Sequence, residues 1–262
     1  MNANKKSTLL IVAGPNGGGK STLRESLLKQ ILKSGLDLPN IVIDPDAITR
    51  EVRNAALHFS DTGVGNMVLD ALKKVSEKES KTGNTQALLE RVLQGSQSEI
   101  DAGRLAVIAT ELCIQKQISF CLETTLSGKS VLNHMAQAIE HNFHINFAYI
   151  ALPSPQDHID RVRQRVSEGG HNIPEEDIVR RYMRSLDNLP HAMAQANEVK
   201  LYTNNIEGEL LLHINDGQIL YQAQHMPPWA EKALQEYQTL SQHKEKTQQN
   251  IQNDLGPSID LT

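Results

Sequence analysis

Hydrophobic positions in this chain come in two rhythms. Unbroken apolar runs at 8–13 (TLLIVA), 40–43 (NIVI), 118–122 (ISFCL) and 145–151 (INFAYIA) read as strands buried on both faces. Residues 198–203 (EVKLYT) read as a fifth strand. Between these runs, apolar residues recur every three or four positions, as on one face of a helix. Leu23, Leu27, Leu28 and Ile31 mark a helix over 21–33, and further helices are expected over 104–117, 129–141, 153–168 and 174–189. A helical stretch also opens at about 47 and breaks at 60–65. Two short strands, 210–214 and 218–222, flank Asn215-Asp216-Gly217, a strong hairpin-turn signal.

Strands alternating with helices predict an α/β fold: a parallel sheet with helices on both faces and ligands at the carboxyl ends of the strands. The second strand is expected beside the first. Residues 66–104 are polar and charge-mixed, with Met67, Leu69, Leu72 and Val75 and then Leu88, Leu89, Val92 and Leu93 at helical spacing, and read as a helical insertion. After about 227 the chain reads as one amphipathic helix, with Trp229 docked on the sheet edge, followed by a Gln/Asn-rich tail expected to be disordered. The division expected is therefore a main domain over 1–226 and a C-terminal helix with a flexible tail over 227–262.

Composition narrows the function classes. In 262 residues, 39% hydrophobic, a sizeable core is expected, although aromatic residues make up only 4%. A net charge of −5, with no extended basic face, argues against a nucleic-acid partner but leaves room for a small anionic substrate held by a local arginine cluster. Cys113 and Cys121 stand in no metal-ligand spacing. No window approaches the ~18 apolar residues of a spanning helix, and the apolar run near the N-terminus is too short for a secretory signal. The expectation is a soluble cytoplasmic protein with no membrane partner.

Chemistry is concentrated after the first strand. Residues 14–21 (GPNGGGKS) fit GxxxxGK[ST] with a buried strand before and a helix after. Over Gly14, Pro15, Asn16, Gly17, Gly18 and Gly19, the expected nucleotide-binding residues, the glycines let backbone N–H groups turn inward as an anion nest at a helix N-terminus. Lys20 then reaches the β- and γ-phosphates, the Ser21 hydroxyl takes Mg2+, and Thr22 completes the loop. ATP or GTP is the expected ligand, on a P-loop NTPase or kinase fold.

The string Leu126-Ser127-Gly128 also opens the signature of ABC ATPases, but it continues as Lys129-Ser130, follows a strand directly, and precedes a strand that ends at Leu152-Pro153-Ser154 without an acid. A phosphotransferase fits better. It needs the triphosphate cradle, a group acting on the acceptor hydroxyl, and cations on the transferred phosphoryl. Of Asp44 and Asp46, one is expected to serve as general base and the other to cap the helix that follows. The cations are arginines. Ser154 to Asp157 opens a helix in capping-box style, carrying Arg161 and Arg165 on one face and Arg163 on another. After Gly169-Gly170 a second helix carries Arg180, Arg181 and Arg184. Asp157–Arg161, Glu176–Arg180 and Asp177–Arg181 are spaced for local pairing, whereas Arg165 has no acid four residues earlier. Together, 153–189 match an arginine-rich lid.

These pieces (LLIVAGPNGGGKSTL, IDPDAI, FCLETTLSG, RVRQRVSEGGHNIPEEDIVRRYMRSLDNL and LYTNN) occur in the order of the zeta-toxin family of P-loop kinases, which the chain resembles over about 8–205. The resemblance implies transfer of the γ-phosphate of ATP or GTP to the 3′-hydroxyl of UDP-N-acetylglucosamine. It implies Asp46 as general base, Lys20 on the phosphates, Glu123 as the substrate-contacting acid with Thr124 and Thr125 beside it, and Arg161 as the first phosphate-clamping arginine. The second family arginine has no counterpart where His171 stands, and Arg165 is the expected replacement. An antitoxin partner is a further implication. Another hydroxyl acceptor (an antibiotic, nucleoside or dinucleotide) and a non-catalytic ATP-binding module remain the competing readings.

Overall fold

Every residue from Leu9 to Ala13 is buried, and the strand they form lies at the centre of the sheet. In a computed structural model, which describes residues 6–33, 41–44, 99–170, 172–204 and 208–254, the strands are β1 (Thr8–Ala13), β2 (Ile41–Ile43), β3 (Phe120–Thr124), β4 (His144–Ala151), β5 (Glu198–Thr203), β6 (Glu209–Asn215) and β7 (Gln218–Gln222). The helices among the described residues are α1 (Lys20–Lys33), α2 (Glu99–Gln115), α3 (Ser130–Glu140), α4 (Pro155–Ser167), α5 (Glu175–Met193) and α6 (Pro228–Asp254). Strand order is β2-β3-β1-β4-β5-β6-β7. The first five strands are parallel, and β6 and β7 are added antiparallel through the hairpin at Asp216-Gly217, whose φ angles of 44° and 82° suit a tight turn. The α/β architecture with a mainly parallel sheet is as the hydrophobic runs imply.

The alternation of side chains in β1 divides the core into two layers. Leu10 and Val12 join Cys121, Ala148 and Ile150 under Leu23 and Leu27 of α1. Leu9 and Ile11 face the opposite layer, built from α2, α3, α5 and α6 through Leu105, Met135, Leu189 and Trp229. A third, small cluster joins α4 to α5 through Ile159, Val162 and Ile178.

Several expectations need correcting. The second strand does not lie beside the first: β3 intervenes, so Asp44 reaches the P-loop only across the end of β3. Strand three begins and ends two residues later than its apolar run, because Glu123 and Thr124 pair in register with Val12 and Ala13. The helix expected from 104 begins at Glu99 and so takes in the end of the expected insertion; the insertion's remaining residues, together with Asp46 and His171, lie outside the described ones. Helix α5 continues through Pro190 to Met193, since Leu189, Ala192 and Met193 are seated in the main core and that packing outweighs the hydrogen bond proline removes. Of the second helix expected in the lid, Leu189 joins the main core, whereas Ile178 packs with α4. Trp229 is not at the sheet edge: its ring lies 5.5 Å from that of Tyr149 on the face of β4, while the edge strand β7 is exposed along its whole length. Helix α6 also runs to Asp254, through residues expected to be disordered.

Candidate functional site

Gly14 leaves β1 with its N–H donating to the Thr124 carbonyl at 3.1 Å and with φ at 149°. A side chain there would collide with the carbonyl oxygen of Ile150, so only glycine lets the loop turn this close to β4. The loop then wraps back, and α1 begins at Lys20 with its positive end aimed into it. The Lys20 ammonium is buried and donates to the Pro15 carbonyl at 3.2 Å. Gly18 is held from outside by Asn204, whose side-chain N–H donates to its carbonyl at 3.1 Å.

Beneath the loop, Ser21 donates its hydroxyl hydrogen to Glu123 Oε1 at 3.1 Å. Arg24, one turn further along α1, donates from Nη1 to Glu123 Oε2 at 2.7 Å and lies 3.4 Å from Asp44 Oδ2. Both acids are buried. Burial and, next, the charge of Asp44 raise the Glu123 pKa, against the pull of Lys20, Arg24 and the Ser21 hydrogen bond. Arg24 was not singled out from the sequence. The available signal was its spacing: it follows Lys20 by four residues and Ser21 by three, on the helix face that looks toward the loop.

The opposite wall is α4. The Ser154 hydroxyl accepts from the Asp157 N–H and the Asp157 carboxylate accepts from the Ser154 N–H, the capping box expected there. Arg161 and Arg165 line a cavity of about 840 Å³ together with Asn16, Lys20, Ser21, Thr22, Asp44, Glu123 and Asn204. Arg163 points away and pairs with Asp160 at 3.3 Å and Glu175 at 2.5 Å. Arg180 pairs with Asp177 at 2.5 Å, three residues earlier, not with Glu176. Arg181, spaced for pairing with Asp177, donates to Asn16 Oδ1 at 3.4 Å and its charge also acts on Asp177.

Parity along β3 separates Glu123 from its neighbours. Glu123 follows Cys121 onto the α1 side, beneath Ser21. Thr124 follows Leu122 to the other side, where its hydroxyl accepts the Leu126 N–H at 3.1 Å. Thr125 shares a hydrogen bond with Ser127 at 2.9 Å. Neither threonine is among the described residues lining the cavity, so the structure brings together Lys20, Ser21, Glu123, Arg161 and Arg165 but not Thr124 and Thr125. Leu126, at φ 57°, is buried in the turn that leads to α3.

The donor set suits Mg2+: a serine hydroxyl and two nearby carboxylates are oxygen ligands, few in number, leaving positions for phosphate and water. Among the described residues no three His, Cys, Asp or Glu side chains gather as a metal cluster, and no helix is long and apolar enough to cross a membrane.

No protein-family model matches the chain. An uncharacterised protein of Haemophilus influenzae (strain ATCC 51907 / DSM 11121 / KW20 / Rd) is 28% identical over 173 residues, covering 66% of this chain and 91% of that one. Among solved structures, the fold is similar to that of AvrRxo1-ORF1:-ORF2 with ATP (TM-score 0.53, 14% identity) and to the native form of that complex (TM-score 0.54, 14% identity). The first alignment covers 89% of this chain and the second 88%, but this chain spans only 64% of the length of either neighbour. What these two share with the chain is the α/β fold, and on that fold the site just described lies at the carboxyl ends of the strands.

Proposed function

We propose that this protein is a kinase that transfers the γ-phosphate of ATP or GTP to a hydroxyl group of a small molecule. The observation that carries the reading is the single cavity onto which Lys20, Ser21, Glu123, Arg161 and Arg165 all open. Two arginines on the cavity that the phosphate loop lines can hold a triphosphate and can also offset the charge that develops on a transferred phosphoryl group, and phosphoryl transfer depends on such cations. That the structural neighbour was crystallised with ATP supports the nucleotide half of the proposal.

In this reading the backbone N–H groups of Asn16, Gly17 and Gly19 and the Lys20 ammonium hold the triphosphate, while those of Gly14 and Gly18 donate to the Thr124 and Pro15 carbonyls. Ser21 is a ligand of Mg2+, which when bound neutralises phosphate charge and aligns the β- and γ-groups. Glu123 accepts the Ser21 hydroxyl hydrogen and so keeps the serine oxygen turned into the cavity. Arg161 and Arg165 draw charge from the phosphoryl group in flight. Asp46 takes the proton of the acceptor hydroxyl, a role that rests on the zeta-toxin resemblance, as does an acceptor contact from Glu123; Thr124 and Thr125, which do not line the cavity, receive no such role. The same resemblance makes UDP-N-acetylglucosamine the specific acceptor, a cytoplasmic metabolite pool the place of action, and an antitoxin that covers the nucleotide site the partner. The AvrRxo1 neighbour is likewise a two-protein complex.

Purified protein incubated with ATP, Mg2+ and UDP-N-acetylglucosamine should yield ADP and a sugar nucleotide heavier by one phosphate, read by mass spectrometry. ATP binding without turnover of any sugar nucleotide would remove that acceptor and send the search to a metabolite-pool screen for another hydroxyl compound. D46N should abolish transfer and leave ATP affinity nearly unchanged. If transfer persists in D46N, Asp46 is not the base.

A further inference from the structure

His158, on α4, belongs to none of the roles above, yet it is fully buried, with 0% exposure. Its Nε2 accepts the Leu152 N–H at 3.0 Å, which leaves the hydrogen on Nδ1 to be donated to the Asn16 carbonyl at 2.7 Å. One imidazole therefore joins three segments: the end of β4, the apex of the phosphate loop and α4. Its ring lies 5.2 Å from that of Tyr182 on α5, whose hydroxyl donates to the Pro153 carbonyl at 3.3 Å. Burial holds the ring neutral, with its pKa pushed down to about 4, as this hydrogen-bond pattern requires.

The contact with the loop is close along the whole turn. A methyl group at Gly17 would come within 3.0 Å of the His158 carbonyl oxygen and 3.7 Å of the Arg161 Cβ, and one at Gly18 within 3.4 Å of the His158 ring. Arg161 follows His158 by three residues, so the turn that touches the loop is the turn that presents the arginine. Helix α4 has no residue in either large core cluster; its buried apolar residues, Ile159 and Val162, belong to the small cluster shared with α5. Its placement against the proposed nucleotide site thus rests on a small apolar cluster and on His158, whose ring is hydrogen-bonded to the loop backbone itself.

We propose that His158 is a positioning residue that locks the arginine-bearing helix α4 to the phosphate loop, so that Arg161 and the loop amides grip the same triphosphate as one unit. The inference rests on the nucleotide reading above and assigns His158 no contact with substrate. Phenylalanine at 158 keeps the ring volume and loses both hydrogen bonds. A histidine that only supports the fold would lower stability without altering how Arg161 contributes to binding. A histidine that positions α4 couples the two.

The test is a double-mutant cycle on ATP affinity in the presence of Mg2+, measured by calorimetry on the full chain: wild type, H158F, R161A and H158F/R161A. H158F should weaken ATP binding about tenfold, the scale of one to two lost hydrogen bonds. In the R161A background the same change should cost less than about threefold, because the arginine it would misplace is already gone. Where H158F does not fold, H158N replaces it; the shorter side chain reaches one of the two partners, and a smaller but still non-additive loss is expected. Additive losses, or unchanged affinity in a folded H158 variant, overturn the coupling while the nucleotide reading stands. A wild-type protein that does not bind ATP overturns the nucleotide reading itself and the coupling with it.

Discussion

Arg24 is the residue on which two buried carboxylates converge. Its guanidinium donates to Glu123 and faces Asp44, and only about a sixth of its side chain is in contact with solvent (17%). Removing one partner from such a cluster leaves carboxylate charge in a site where hydration cannot replace it, so R24M should destabilise the fold by about 2–4 kcal/mol in urea unfolding, and by clearly less when combined with E123Q. A cost within ~0.5 kcal/mol would mean that the cluster is adequately hydrated. His158 makes the second prediction at this scale. Its folded pKa of about 4 lies below the ordinary 6.5, so the unfolded chain binds the extra proton between these values. Stability from the neutral ring is fully present above about pH 6.5 and is lost as pH falls toward 4. The stability difference between wild type and H158F should accordingly shrink by about 2 kcal/mol from pH 7 to pH 5. His134, whose pKa burial also lowers, is present in both proteins and drops out of the comparison. Lys20, Ser21 and Glu123 were legible as site residues because strand–loop–helix context names them. Arg24 and His158 were not, since each acts through a contact that closes only on folding: Glu123 lies 99 positions from Arg24, and Asn16 lies 142 from His158.

At the scale of elements, a turn often does more than the residues it carries. The capping box at Ser154 fixes where α4 starts and thereby the rotation that sends Arg161 and Arg165 to the cavity and Arg163 to Glu175. S154A should cost about 1 kcal/mol in a denaturant titration, with the slope of the transition unchanged, and S154D should recover most of it. An unaltered midpoint in S154A would show that the helix start is held by packing alone. Gly14 is the harder constraint. G14A forces a methyl group onto the Ile150 carbonyl in a backbone conformation that L residues avoid, and the fold should lose about 1–3 kcal/mol together with ATP binding. Among the described residues, helix and strand existence was legible from periodicity, and the hairpin from Asn215-Asp216-Gly217. Ends were less so. The polar residues Glu123 and Thr124 extend β3 because their backbones pair with β1, a contribution that side-chain hydropathy does not register. Pro190 stays inside α5 because the residues around it are buried, which local propensity also does not register.

For the molecule as a whole, strand order and the docking of α6 decide what the proposed nucleotide site rests on. The runs of apolar residues imply a parallel sheet, but nothing in them says that β3 sits between β1 and β2; that order is what brings Glu123 beneath Ser21 and leaves Asp44 to reach it through Arg24. Nor does an amphipathic C-terminal helix announce which surface it covers. Trp229, Ala230, Ala233, Leu234 and Tyr237 enter the main core against Tyr149, whose hydroxyl is satisfied by Ser185 of α5 at 3.0 Å. Helix α6 is therefore a structural layer over β4 and α5, on the sheet face opposite α1. W229A should remove about 3–5 kcal/mol of stability by opening a cavity the size of an indole in that layer. W229F should cost much less, since the indole N–H finds no acceptor among the described residues and so forfeits no hydrogen bond. Because β4 and the sheet separate this layer from the phosphate loop, the folded fraction of W229A should bind ATP with wild-type affinity. Thermal unfolding with and without ATP separates the two effects: the midpoint should fall in W229A by the same amount in both conditions, and the ATP-induced rise should be preserved. A diminished rise would instead mean that the α6 layer and the nucleotide site share one conformational equilibrium.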